Sequence, residues 1–209
     1  MISNLHYISQ GESPEEHLKN IRKMCTAGAN WIQLRLKDEC LEKIQETAQK
    51  AKDICDEFQA KLIINDFPEI AKKVDAHGVH LGKEDHCPLK ARKLLGPDKI
   101  IGGTANSLED CENLCTLQVD YIGLGPFRFT TTKKKLSPIL GVEGYRNLLN
   151  SLHAQGKMIP VIAIGGITTT DFRVLAESGL YGVAISGWLT SHSNPEIIFK
   201  EIQQHFSEK

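Results

Sequence analysis

The sequence predicts a closed (β/α)8 barrel, a TIM barrel, and three observations lead there. Eight short apolar runs of strand type recur along the 209 residues, segments of helical periodicity separate them, and no hairpin turn joins any two. Strands that alternate with helices must run parallel, and a parallel sheet has to be covered by its crossovers. Eight such units close on themselves, here near the lower end of the size range for this fold. An open doubly wound sheet more usually has five or six strands and a G-x-G-x-x-G turn after the first. Residues 6–13 read HYISQGES and lack that spacing.

The first strand is LHYIS (5–9), followed by a helix that Ser13-Pro14-Glu15-Glu16 opens as a capping box with Pro at the first helical position. Leu18, Ile21 and Cys25 share one face of it. WIQLRL (31–36) is the second strand. The helix after it carries Leu41, Ile44, Ala48, Ala51, Ile54, Cys55 and Phe58 as an apolar stripe on a charged background. KLIIND (61–66), GVHLG (78–82) and KIIGGTA (99–105) are the third to fifth strands. Ser107 caps a helix bearing Leu108, Cys111, Leu114 and Cys115. YIGLGPF (121–127) is the sixth strand and precedes a helix with Val142, Tyr145, Leu148, Leu149 and Leu152. PVIAIGG (160–166) and GVAIS (182–186) complete the barrel, with Phe172/Leu175 and Ile197/Ile198/Ile202/Phe206 marking the last helices. No linker or low-complexity tract interrupts the pattern, so residues 1–209 are expected to form one domain.

Composition narrows the function classes. With 41% hydrophobic and 24% charged residues the chain is an ordinary globular one, and a net charge of -1 gives no bulk attraction to nucleic acid. No apolar run reaches the length of a membrane span, and MISNLHYIS lacks the pattern of a signal peptide. The six cysteines (25, 40, 55, 87, 111 and 115) form no C-x-x-C pair. They are expected to be reduced thiols acting as small hydrophobes in a cytoplasmic protein.

In such a barrel function sits at the carboxyl ends of the strands, and the polar residues gather there. Alternation along the second strand puts Gln33, Arg35 and Lys37 on the inward face, where the two cations need either an ion-pair network or a wet anion site. The third strand ends in Asn65-Asp66, and Asp85 follows the fourth. Each Asp alone suits a helix cap. Together, beside Arg35 and Lys37, they suit a hard cation such as Mg²⁺, completed by water and phosphate. His80 is expected inside the barrel with no chemical role, while Thr104 and Asn106 add a hydroxyl and an amide to the rim. Residues 125–135, GPFRFTTTKKK, join backbone-exposing Gly to hydroxyls and ammonium groups, a composition suited to an anion. Gly165-Gly166 after the seventh strand and Ser186 after the eighth stand where this fold recurrently cradles phosphate with backbone N–H groups. No nucleophile–base pair is apparent at these strand ends, which points to electrostatic stabilisation of a leaving group.

Gln33-Leu-Arg35-Leu-Lys37, Asn65-Asp66, GVHLG with Asp85, GPFRFTTTK (125–133) and AIGGI (163–167), in this order from near Tyr7 to Ser186, together resemble the thiamine phosphate synthase family. The resemblance implies a barrel that condenses 4-amino-2-methyl-5-pyrimidinylmethyl diphosphate with 4-methyl-5-(2-phosphoethyl)thiazole, or its carboxylated form. The products are thiamine phosphate and pyrophosphate. It implies that Gln33, Arg35, Lys37, Asn65 and Lys133 hold the diphosphate, with Arg35, Lys37 and Lys133 acting on the leaving group, and that Asp66 and Asp85 bind Mg²⁺. Thr104, Thr130 and Thr132 are further substrate contacts, and Gly166, Ile185 and Ser186 meet the thiazole phosphate. Lys83 stands where the family usually has Gln, Thr104 where Ser is common, and Asn106 where His is frequent. A thiazole tautomerase on the same barrel would not need the pyrophosphate clamp, and a non-catalytic ligand sensor would not need its charges. The expected partners are small phosphorylated pyrimidine and thiazole substrates, with no nucleic acid or membrane. Oligomeric state, a homo-oligomer included, is left open.

Overall fold

Each βα unit forms for a local reason. Ser13 accepts from the Glu16 N–H at 3.2 Å and Pro14 starts α1 (Pro14–Thr26). The reciprocal arm of the expected box lands one residue early, with the Glu12 N–H donating to Glu16 Oε2 at 2.7 Å. Ser107 and Asp110 do form both arms at the start of α5 (Leu108–Thr116). The structure is a computed structural model and describes residues 2–129 and 138–206.

The eight strands are β1 (Leu5–Ile8), β2 (Trp31–Leu34), β3 (Lys61–Asn65), β4 (Gly78–Leu81), β5 (Ile100–Ala105), β6 (Tyr121–Leu124), β7 (Val161–Ile164) and β8 (Gly182–Ile185). They pair in sequence order, all parallel, and close through β8 and β1 with Leu5 opposite Val183. The expected barrel is therefore the observed one. The remaining helices are α2 (Leu41–Glu57), α3 (Pro68–Lys73), α4 (Pro88–Leu95), α6 (Gly141–Ala154), α7 (Phe172–Glu177), α8 (Gly187–Ser191) and α9 (Pro195–Phe206). The sequence pattern did not reveal α3, α4 or α8, because 5 to 8 residues complete too few turns to show a period. Leu41, read as part of the α2 stripe, is exposed, since it sits at the first turn where the helix has not yet met the sheet.

The core has two shells, as strand alternation requires. Ile32, Leu34, Leu62, Ile64, Val79 and Ile185 belong to the large cluster shared with the helices. Trp31, Ile63, Tyr121, Ile162 and Ala184 fill the barrel interior. Glycines make the interior shapes fit: a Cβ on Gly102 would overlap the Tyr121 ring, and one on Gly123 would come within 3.1 Å of His80 Cε1. Among the described residues no helix is long and apolar enough to cross a membrane.

Candidate active site

One cavity opens at the carboxyl ends of β2–β5 and reaches into the barrel. Gln33, Arg35, Lys37, Asn65, Asp66, Asp85 and Thr104 line it, so seven residues expected at the site from sequence come together there. Strand β2 stops at Leu34, which leaves Arg35 and Lys37 standing above the barrel instead of inside it. Buried Ser9 backs this corner, its Oγ accepting from the Arg35 N–H at 3.1 Å.

Asp66 reaches the mouth through an unusual backbone. Its φ is +68°, a left-handed conformation that Asp tolerates better than most residues, while its N–H continues the β3–β4 ladder to His80 O at 2.9 Å. Neither carboxylate caps a helix: the N-cap positions of α3 and α4 are Phe67 and Cys87. Burial pushes the Asp66 carboxyl up to about 7, and the facing Asp85 carboxylate adds to the rise, while Lys37 and Arg35 only partly offset it. Lys37 Nζ lies 3.8 Å from Asp66 Oδ2, a separation typical of a loose exposed pair. Burial lowers the Arg35 guanidinium, with Asp66 and Asp38 opposing the change. Two carboxylates pressed together beside cations fit a hard divalent ion. Among the described residues no group of three or more His, Cys, Asp or Glu side chains could hold a metal. A two-carboxylate site suits Mg²⁺, which keeps waters and takes phosphate oxygens.

Across the mouth the β7 loop is built differently. Gly165 and Gly166 have φ of +95° and +68°, and a Cβ on Gly166 would come within 2.5 Å of Arg128 Cγ. Arg128 forks onto buried Asp171 at 2.8 and 2.7 Å and also donates to Gly166 O at 3.1 Å. Asp171 in turn accepts from the Thr168 N–H at 2.9 Å. The turn is thus tied to the chain leaving β6. Ser186 Oγ donates to Gln10 Oε1 at 3.2 Å at the same rim. The Ile185 side chain packs in the helix-facing core, which leaves its backbone as the part able to meet a ligand. Thr130, Thr132 and Lys133 lie outside the described residues.

Several functional contacts escaped sequence reasoning. Tyr121 was read only as an apolar strand residue, yet it hydrogen-bonds His80, and period-two alternation could have put it inside. Asn106 turns its amide onto Gly125 O instead of lining the cavity. A Ser–His contact does exist at a strand end, Ser9 Oγ to His17 Nδ1 at 2.7 Å, although none was expected. Both residues are buried and neither lines the cavity, so the pair braces β1 against α1 and is no nucleophile. Lys83 pairs with Asp110 at 2.7 Å, where no sequence signal placed it.

Comparison with known proteins agrees with this geometry. The family model described as thiamine monophosphate synthase matches residues 5–189. Thiamine-phosphate synthase of Flavobacterium psychrophilum is 46% identical over 195 residues, covering 93% of this chain and 95% of that protein. The Flavobacterium johnsoniae protein of the same name is 43% identical over 204 residues, covering 98% and 96%. Among solved structures, thiamine phosphate pyrophosphorylase from Pyrococcus furiosus superposes with a TM-score of 0.81 at 27% identity, covering 98% of this chain and 96% of that one.

Proposed function

The chain belongs to the thiamine monophosphate synthase family, and we propose that it is a transferase condensing 4-amino-2-methyl-5-pyrimidinylmethyl diphosphate with 4-methyl-5-(2-phosphoethyl)thiazole, or its carboxylated form. The products are thiamine phosphate and pyrophosphate. The observation that carries the residue roles is a single cavity that Arg35, Lys37, Asp66 and Asp85 share with the neutral hydrogen-bonding side chains of Gln33, Asn65 and Thr104. Residues 1–209 act as one catalytic domain in this reading, supported by closure of β8 onto β1. A cytoplasmic setting fits a chain that uses Cys25, Cys55 and Cys111 as buried apolar side chains.

The reaction breaks the bond between the pyrimidinylmethyl carbon and the diphosphate oxygen, whose electron pair leaves with pyrophosphate. The thiazole nitrogen then donates its own pair to that carbon. No protein nucleophile is needed. Arg35 and Lys37 hold the diphosphate and act on the charge that grows on it as it leaves, an interaction stronger in the transition state than before it. Gln33 and Asn65 orient the diphosphate half from the wall. Asp66 and Asp85 would hold Mg²⁺, which when bound supplies further positive charge to the leaving group. Lys133, Thr130 and Thr132 take their roles from the sequence resemblance. The Gly166 turn, the Ile185 backbone and Ser186 receive the thiazole phosphate, using donors that need no net charge.

The test is pyrophosphate release from the two substrates with Mg²⁺ and with EDTA. Mg²⁺-dependent release, matched by thiamine phosphate, is the expected result. Binding of both substrates without release would overturn the synthase reading and make thiazole isomerisation the next assay.

A further inference from the structure

A hydrogen-bonded chain runs up the barrel interior, and the charges at the mouth do not explain it. Tyr121 Oη lies 2.9 Å from His80 Nδ1, and His80 Nε2 lies 2.9 Å from Thr104 Oγ1. All three residues are buried and all three line the cavity. Thr104 is the outermost, two residues beyond the Gly102 that stands opposite both His80 and Tyr121 in the strand register. The rings are held in place: Trp31 packs edge-on to Tyr121 at 4.9 Å, His6 stacks on Trp31 at 3.8 Å, and Gly102 and Gly123 leave space for Tyr121 and His80.

The direction of the protons follows from satisfying the groups. Burial holds the Tyr121 phenol well above its ordinary range, so it keeps its proton. Among the described residues that hydroxyl has one hydrogen-bond partner, His80 Nδ1. A proton on Nδ1 would have to point at the phenol oxygen, and the phenol's own proton would then be buried without an acceptor, a costly arrangement. A doubly protonated ring would strand it in the same way. The arrangement that satisfies every group has Tyr121 donating to Nδ1 and Nε2–H donating to Thr104 Oγ1. Thr104 then has its oxygen occupied from below, and its own proton is left to donate upward into the cavity.

We propose that Tyr121 and His80 are positioning residues that fix Thr104 as a hydrogen-bond donor to the anion bound in the mouth. Identification of that anion as a diphosphate rests on the function proposed above; the proton order does not. An acceptor-oriented hydroxyl would repel the same oxygen atoms, so the order of the chain matters beyond its packing.

Two measurements on the full chain test this. Nitrogen NMR of ¹⁵N-histidine-labelled protein, with the His80 signals assigned by their loss in His80→Asn, reads the tautomer directly. Protonated Nε2 with bare Nδ1 is expected, and protonated Nδ1 would overturn the proposal whatever the enzyme catalyses. Calorimetric titration with inorganic pyrophosphate and Mg²⁺ reads the donor without needing turnover. Thr104→Val should bind about tenfold more weakly or worse, Thr104→Ser should bind like the parent, and Tyr121→Phe should fall between them. Tyr121→Phe combined with Thr104→Val should lose no more than Thr104→Val alone. Unchanged binding in Thr104→Val, or additive losses in the double variant, would overturn it. Thr104→Val and Thr104→Ser carry the test if Tyr121→Phe fails to fold.

Discussion

In the function proposed above, the two sides of the mouth would each hold a phosphorylated group, and they are built by opposite means. On the β2–β4 side the groups are side chains at and beyond the strand ends, and burial, with the facing Asp85 carboxylate adding to it, lifts Asp66 to about 7. On the β6–β8 side the donors belong to a glycine turn whose carbonyl is tied down by Arg128 and whose neighbour Asp171 is fully engaged. The first arrangement gathers two cations and two carboxylates in one cavity, charge that the proposed ligand and cation would balance. In the second, the Gly166 carbonyl and the Asp171 carboxylate already have protein partners, so the turn is braced without a ligand. A departing diphosphate needs interactions that strengthen as its charge grows, whereas a phosphate that only anchors its molecule needs a fixed cradle.

That contrast is broken most sharply by Asp66→Asn. Asn tolerates the left-handed backbone at this position, so the fold should survive. Turnover with Mg²⁺ should fall by about a hundredfold or more, with thiazole phosphate affinity little changed. A wild-type rate would remove Asp66 from the cation site. Next in size is Gly166→Ala, which forces a side chain into a φ of +68° and against Arg128. Its KM for the thiazole phosphate should rise by roughly tenfold, reflecting about 1–3 kcal/mol of strain and displacement. Diphosphate binding, followed by calorimetry, should stay as it was, and losing both equally would erase the distinction between the two sides.

Arg128→Gln gives a smaller effect of the same kind. It removes the fork but leaves Asp171 its Thr168 partner, so a thiazole KM increase of about threefold and a melting point lower by a few degrees are expected. Arg128→Lys should recover part of this, because it restores charge without the planar fork. A change in kcat alone would mean that the turn does not depend on the fork. Smallest of all is Lys83→Gln, which puts back the residue the family usually carries. Its exposed pair with Asp110 is worth on the order of 0.5 kcal/mol, and steady-state rates should move by less than about twofold.

The residues at the rim were legible from sequence to different degrees. Gln33, Arg35 and Lys37 declared themselves as polar positions alternating with aliphatic ones, although only Gln33 lies within the strand and the two cations stand beyond its end. Asp66 and Asp85 were found as a pair, but the helix-cap alternative could be set aside only once Phe67 and Cys87 occupied the cap positions. Arg128 gave no signal, since its partner is 43 residues away and on another unit of the barrel. Tyr121 was hidden by its own chemistry: an aromatic ring in an apolar strand looks like core, and its hydroxyl matters only because His80 stands beside it.

The sequence by itself determined the eight-stranded alternation, the closed barrel it implies, and the rim at which polar residues collect, because those depend on periodicity within single elements. Tertiary structure alone decided which of those residues face one another. It brought the two carboxylates together, tied the glycine turn to Arg128, and stacked Tyr121, His80 and Thr104 into one chain. The reason is that a side chain's direction at a strand end depends on the backbone angles of its loop and on neighbours supplied by other strands, and neither is written in the local pattern.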